Sequence, residues 1–364
     1  MSRRASTDDE HVTIRDVAAR AGVSATTVSR VIKGDYPVAA STKARVLRAM
    51  RELDYVVNVH ARALSGEGTK MVAFVLEDVT GPSFAYVARG VEQQATAEGR
   101  LCMVCTTHGD PARELAVVEA MREQRADAVI LVGGGSLDDA YVERMTHFAH
   151  ALDKAGSRLV LCGRPPLGVD VPTTVVEYDN EGGAFAMTSY LLSQGHRTIA
   201  LLGADAPDHA STTKRDRVRG FVRAHEAFGV PHDPALLIPS GFDRADGYEQ
   251  TKRLLSLGSS FTAVFAATDM VAIGVVAALR EAGLSVPDDV SVAGYDDIPF
   301  AADMSPGLTT VRIPTEELGR TAVRLALHRE ERQHVVLGTH IVVRDSVRPP
   351  ARRPVEGRGA ASHR

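Results

Sequence analysis

The chain has 364 residues, is 44% hydrophobic and carries a net charge of −4, which gives room for two or three domains with cores of their own. No apolar run approaches the roughly eighteen residues of a membrane span, and the polar stretch Met1–Glu10 has no hydrophobic segment behind it, so a cytoplasmic protein is expected rather than an exported or membrane-embedded one. The charge is uneven: residues 1–64 hold 11 Lys and Arg against 7 Asp and Glu, a basic head on an acidic body, which is the balance of a nucleic-acid module joined to a sensor.

Residues 1–12 read as a loose polar arm. Thr13 supplies an N-cap hydroxyl, and Ile14, Val17, Ala18 and Ala21 follow at the spacing of one helical face. Ala21-Gly22-Val23 breaks that helix, and Ser24 caps a second. Its apolar side carries Val28, Val31 and Ile32, while Ala25, Thr26, Ser29 and Arg30 fall on the opposite, open side. A third helix, with Val46, Met50 and Leu53, closes a core too small to do much besides present the second. This is a helix-turn-helix with its reading face exposed, spanning residues 13–57. Thr26 and Arg30 are the expected base readers, with Ser24 and Thr27 positioning the helix on phosphates. Asn58 then caps a short turn through Ser65, and Gly66–Thr69 makes a flexible joint, so 58–68 reads as hinge and linker.

The ordered run Val12-Thr-Ile-Arg-Asp-Val-Ala, Ala-Gly-Val-Ser24, Thr27-Val-Ser-Arg30-Val-Ile and Leu53-Asp-Tyr-Val-Val-Asn58 through Ala61-Arg62-Ala63-Leu64 closely resembles the lactose/galactose repressor (LacI/GalR) family. The resemblance implies that Asn58–Ser65 is a hinge helix ordering on an operator, with Leu64, supported by Ala61, wedged into the minor groove. Val57 stands where that family usually has proline, so φ there is not fixed in advance.

From Lys70 apolar strands alternate with amphipathic helices. Strands are expected at Val72–Leu76, Leu101–Cys105, Ala128–Val132 and Leu159–Cys162, with helices at Ala85–Glu98, Glu114–Gln124 and Tyr141–Ala155 between them. Leu101–Cys105 reads as a buried strand, and Cys102 and Cys105 within it stand three apart, which points them to opposite faces and against metal or redox use. Gly133-Gly134-Gly135 lacks the spacing of a phosphate cradle, and no nucleophile elbow, Walker loop or paired-histidine motif is present, so no cofactor, metal or enzymatic activity is expected.

A second run begins near Thr174. Helices are expected at Gly182–Ser193, Val218–Phe228, Gly247–Leu257 and Met270–Ala282, alternating with strands at Thr198–Gly203, Ala235–Pro239, Ala263–Ala267 and Ser291–Gly294. The fold class is therefore α/β: an all-α reader followed, over residues 69–347, by two doubly wound parallel-sheet lobes. The lobe boundary is expected near 173, with the chain crossing back near 308 and 336. Residues 348–364, rich in Pro, Gly and Arg, read as a disordered tail.

The core too resembles the family's effector domain, which is similar in fold to periplasmic sugar-binding proteins. The carrying residues are Asp179-Asn180, Gly195-His196-Arg197, Arg217-x-x-Gly220-Phe221, Thr268-Asp269, Gly294-Tyr-Asp296-Asp297 and Leu308-Thr-Thr310. Facing strand ends define a ligand cleft between the lobes. Phe84 is placed either to stack on a sugar or base face or to fill the core. Arg217 offers a planar fork to hydroxyls or a carboxylate, and Asp296 can accept two hydroxyl hydrogen bonds. Thr268 and Asp269 are further candidates, although Asp269 equally suits a helix cap, and Arg164 is another. This set favours a carbohydrate or a small polar metabolite.

The expected function is a ligand-controlled transcriptional repressor working as a homodimer on a two-fold symmetric double-stranded operator, since the tail lacks the leucine heptads with which some family members form tetramers. A transport solute-binding protein and an enzyme on a doubly wound fold are the competing classes. The attached reader speaks against the first and the missing catalytic constellation against the second.

Overall fold

In the computed structural model the described residues are 12–33, 36–55, 70–204, 211–328 and 333–350. They fall into two compact units, divided between Glu67 and Gly68. The arm, the hinge segment with Ala61 and Leu64, and residues 351–364 lie outside the described residues.

The first unit holds α1 (Ile14–Ala21), α2 (Ala25–Lys33) and α3 (Ala40–Glu52). Asp16 reaches back to accept from the Thr13 backbone N at 2.8 Å and from its Oγ at 2.6 Å, which fixes the entry to α1. Gly22, at φ 65°, ends that helix in the left-handed conformation only glycine adopts cheaply. Val17, Ala18, Ala21, Val28, Val31, Val46 and Ala49 form the small buried core, with Ile14, Ile32, Met50 and Leu53 packed around it. An ion pair between Arg20 and Glu52, at 2.6 Å, joins α1 to α3.

The second unit is built on two six-stranded sheets. In lobe 1 the strands are β1 (Met71–Leu76), β2 (Leu101–Thr106), β3 (Ala128–Val132), β4 (Arg158–Cys162), β5 (Thr173–Tyr178) and, from far along the chain, β11 (His334–Leu337), in the order β11-β5-β4-β3-β1-β2 and all parallel. In lobe 2 they are β6 (Ile199–Ala204), β7 (Leu237–Pro239), β8 (Ala263–Ala266), β9 (Ser291–Asp296), β10 (Thr309–Arg312) and β12 (His340–Val342), in the order β12-β10-β9-β8-β6-β7 with β12 antiparallel. Parity sorts the core. Val72, Phe74, Ala128, Ile130, Val160 and Val176 point into an apolar cluster that continues through Ile199, Leu201, Phe265 and Tyr295 of lobe 2. Their neighbours Ala73, Val75, Val129, Leu131 and Leu159 point into a separate cluster on the other face of lobe 1.

The crossovers correct the expected boundaries. The strand expected to open the second lobe near Thr174 is β5, and it pairs with β4 in lobe 1. The chain leaves lobe 1 after Tyr178 through α7 (Asn180–Ser193), returns after β10 through α12 (Thr315–His328), completes lobe 1 with β11, and crosses again to β12. β10 and β12, which flank the crossings expected near 308 and 336, both belong to lobe 2 and mark where those crossings begin and end. Leu101–Cys105 is not buried: β2 is an edge strand, with Leu101 76% exposed. Cys102 and Cys105 do face opposite clusters, one on each side of the sheet. Arg348, the first residue of the expected tail, is instead held on lobe 2, where its carbonyl accepts from Ser291 Oγ at 3.1 Å and meets His196 Nε2 at 3.0 Å.

The remaining helices cover the sheets. In lobe 1 these are α4 (Pro82–Ala97), α5 (Pro111–Glu123) and α6 (Asp139–Lys154), and in lobe 2 α8 (Thr212–Ala227), α9 (Arg244–Ser256), α10 (Asp269–Glu281) and the short α11 (Pro299–Asp303). Helices α4 and α12 meet through glycines: a Cβ on Gly90 would lie 2.1 Å from the carbonyl oxygen of Glu316, and one on Gly319 would lie 2.3 Å from that of Val87. No helix among the described residues is long and apolar enough to cross a membrane.

Candidate functional site

Two surfaces carry the candidate residues. On the first unit, Ser24 Oγ accepts from the Thr27 backbone N at 3.2 Å and lies 2.9 Å from Thr27 Oγ1, so Ser24 caps α2. Thr26 and Arg30 are exposed, and Thr27 and Ser29 are half-buried. Ala25 departs from its expected place on the open side, because it packs against the core.

In the second unit a cavity of about 350 Å³ lies between the C-terminal strand ends of the two lobes. Phe84, Arg217, Thr268 and Asp296 line it together, although they are spread over more than two hundred residues of sequence. Phe84, near the N-terminus of α4, lies against Gly133, where a Cβ would come within 3.2 Å of the ring. Asp296 ends β9 at φ 111° and Asp297 follows at φ 57°. Two such non-glycine residues in succession store of order 1–3 kcal/mol each, strain that persists only where surrounding contacts enforce it.

Arg217, on α8 and 3% exposed, is the hub. Its Nε donates to Asn180 Oδ1 at 3.0 Å, one terminal nitrogen donates to the Ala267 carbonyl, and the other donates to Tyr178 Oη at 3.3 Å and lies 3.6 Å from Asp296 Oδ1. Its plane sits on the Tyr295 ring, 3.7 Å from the centroid. The fork expected to be free for a ligand is thus largely held by the protein, and what it offers the cavity is the edge it shares with Asp296. The Asp296 carboxylate also accepts from Ser83 Oγ of lobe 1 at 2.6 Å. Burial raises the Asp296 carboxyl above the ordinary carboxylate range, against the pull of Arg217 and Ser83.

Three candidates stand differently from expectation. Thr268 caps α10, accepting from Val271 N at 3.1 Å while donating to the Phe242 carbonyl at 2.9 Å, so its hydroxyl proton is already committed. Asp269 is fully buried beneath the cavity. It accepts from Thr310 Oγ1 at 2.5 Å and from Ile298 N at 2.8 Å, and burial, reinforced by the Asp296 charge, holds its carboxyl well above the usual range. Arg164 does not line this cavity. It is 4% exposed, pairs with Glu114 at 2.9 Å and donates to the carbonyls of Gly133 and Val132, so it braces the end of β3 within lobe 1.

The cavity also draws on residues the sequence reading did not single out: Ser83, Tyr178, Thr213 and Phe242. Thr213 sits one helical turn before Arg217, so helical spacing was its signal, while Ser83 had only its adjacency to Phe84 at the start of the same helix. Tyr178 and Phe242 carried none, being single aromatics that only the tertiary fold brings to Arg217. The Thr213 Oγ1 is buried with no protein partner among the described residues. Groups of three or more metal-ligating side chains are absent among the described residues.

Comparison with known proteins gives these surfaces a lineage. Residues 13–58 match the family of bacterial regulatory proteins, lacI family, and residues 188–347 match a periplasmic binding protein-like domain. The chain is 34% identical over 346 residues to the HTH-type transcriptional regulator DegA of Bacillus subtilis (strain 168), covering 93% of this chain and 98% of that one. Among solved structures, the Lac repressor dimer bound to operator and the anti-inducer ONPF is similar with a TM-score of 0.77 at 25% identity, over 93% of this chain and 99% of that one. A complex of the transcriptional regulator CelR with cellobiose is similar with a TM-score of 0.65 at 32% identity, over 92% of this chain and 100% of that one. With a DNA-reading unit matched at one end and a ligand-binding core at the other, the chain belongs to the lacI family of bacterial transcriptional regulators.

Proposed function

We propose that this regulator is a repressor that binds a two-fold symmetric operator as a homodimer and changes its DNA affinity when an uncharged sugar occupies the cleft between the lobes. The observation that carries the choice of ligand is the charge of the cavity. Among the described residues, Glu77, Asp78, Asp243, Asp246 and Asp296 line it against one cation, Arg217, whose charge Asp296 already meets. Such a lining repels phosphates and carboxylates, whereas sugar hydroxyls can donate to these acids while a ring face rests on Phe84. The cellobiose bound to CelR supports the same class.

Dimerisation is supported by the operator-bound Lac repressor dimer and by β2, an edge strand that exposes Leu101, Met103 and Val104. On DNA, Thr26 and Arg30 read base edges, Ser24, Thr27 and Ser29 lie along the backbone, and Leu64 with Ala61 opens a base step in the minor groove. The cleft binds without catalysing, and a chromosomal target places the protein in the cytoplasm. Control requires that the sugar bind the two states of the core unequally, since equal affinity shifts nothing.

The test is a thermal-shift screen of the full chain against neutral mono- and disaccharides and their phosphates. Neutral sugars should raise the midpoint by stabilising the native state. A hit should alter affinity for a duplex selected from a random pool, and that duplex should change sugar affinity by the same factor. If only phosphorylated or carboxylated compounds raise the midpoint, the sugar reading is wrong. Unchanged sequence preference in Arg30→Ala would remove the base-reading role.

A further inference from the structure

We infer that Tyr36 is a positioning residue that sets the aim of Arg30 on DNA; this rests on the base-reading role proposed for Arg30. The guanidinium of Arg30 lies over the face of the Tyr36 ring, 4.5 Å from its centroid. Tyr36 is 58% exposed and stands outside the core cluster of the reader, so packing of the three helices does not account for an aromatic there.

The geometry suits a reading arginine better than an ion pair would. Arg20, in the same unit, has its Nε and one terminal nitrogen committed to Glu52, at 2.8 and 2.6 Å. Arg30 has no carboxylate partner among the described residues. A ring beneath the guanidinium restrains it through its face and uses none of its five N–H donors, which point outward in its plane. The fork is therefore held in one region and kept open for a guanine edge, which demands a fixed bidentate approach. Ordering the side chain before contact also lowers what binding must spend on it.

The experiment compares the full chain with Tyr36→Ala, Tyr36→Phe, Arg30→Ala and the Tyr36→Ala/Arg30→Ala double variant. The probe is a duplex selected by the wild type from a randomised pool, titrated at fixed salt because phosphate contacts dominate the total affinity. Tyr36→Ala should weaken specific binding about three-fold, the scale of an exposed cation–π contact. It should broaden selection at the same base pair as Arg30→Ala, add nothing in the Arg30→Ala background, and leave binding to unrelated duplex unchanged. Tyr36→Phe keeps the ring and should match the wild type. Equal or tighter specific binding by Tyr36→Ala would overturn the proposal, as would a loss of the same size without Arg30, which would make Tyr36 a DNA contact in its own right. If Arg30→Ala itself leaves selection unchanged, it is the base-reading role that fails, and that single variant reports it separately.

Discussion

Ser83 Oγ donates to Asp296 Oδ2 at 2.6 Å, a hydroxyl of lobe 1 on a carboxylate of lobe 2, so the two halves of the core are joined at the cavity by the residue that also pairs with Arg217. Ser83→Ala should cost about 1.5 to 3 kcal/mol, the range for a hydrogen bond to a charged group. It should also increase the radius of gyration of the ligand-free protein in small-angle scattering. An unchanged radius and an unchanged thermal midpoint would mean that the contact does not hold the lobes together.

The buried ion pair of lobe 1 makes a different prediction. Burial works to raise the Glu114 carboxyl, and the Arg164 charge outweighs it and leaves it lowered, with Tyr141 Oη as a further partner. Glu114→Ala strands the Arg164 charge in the interior and should destabilise the core by about 3 to 5 kcal/mol, measured in denaturant. Glu114→Ala/Arg164→Met together should recover part of that loss. A double variant no better than the single one would show that the charge left behind is not the cause.

His196 gives stability a pH dependence. It is fully buried between Thr262 Oγ1 and the Arg348 carbonyl, and burial pushes its pKa down from 6.5 to about 4. The unfolded chain therefore takes up a proton that the folded chain refuses. The contribution is complete above about pH 6.5 and is lost as pH falls towards 4, up to about 3 kcal/mol. Relative to His196→Asn, which cannot titrate, the wild-type midpoint should fall more steeply across that window. Parallel curves would refute the assignment.

The homodimer proposed on β2 is tested by charge. Val104 is 49% and Met103 41% exposed on this edge strand. Val104→Lys, or Met103→Glu, should shift the protein towards monomer in analytical ultracentrifugation and weaken operator binding, with little effect on the fold of a solvent-facing edge. A variant that stays dimeric would place the interface elsewhere.

Much of this architecture was legible because strands buried on both faces read as continuous apolar runs, as Val72–Leu76 and Ala128–Val132 do. What failed was the assignment of strands to sheets. Chain order does not say that β5 pairs with β4 before the crossing, or that β11, whose residues are partly exposed along an edge, completes lobe 1. The same apolar look misplaced β2 in the interior. Among site residues, Arg164 and Arg217 are each a lone arginine and look alike in sequence. Only the fold brings Glu114, fifty residues away, onto the first and leaves the second beside the cavity. Asp269 and Asp296 are both carboxylates near strand and helix ends, and what separates them is depth, which spacing does not encode.

The order of the crossings also bears on how the protein is made. The first lobe takes its edge strand β11 and covering helix α12 from residues 315–337, after nearly all of the second lobe. As the chain leaves the ribosome, β5 has one edge unpaired and Gly90 lacks its partner helix until β6 to β10 of lobe 2 have been synthesised. Domains generally fold as units and in order of emergence, so here the lobe that starts first is completed only after five of the six strands of the second, and a fragment ending between the two lobes lacks an edge strand and a covering helix of lobe 1.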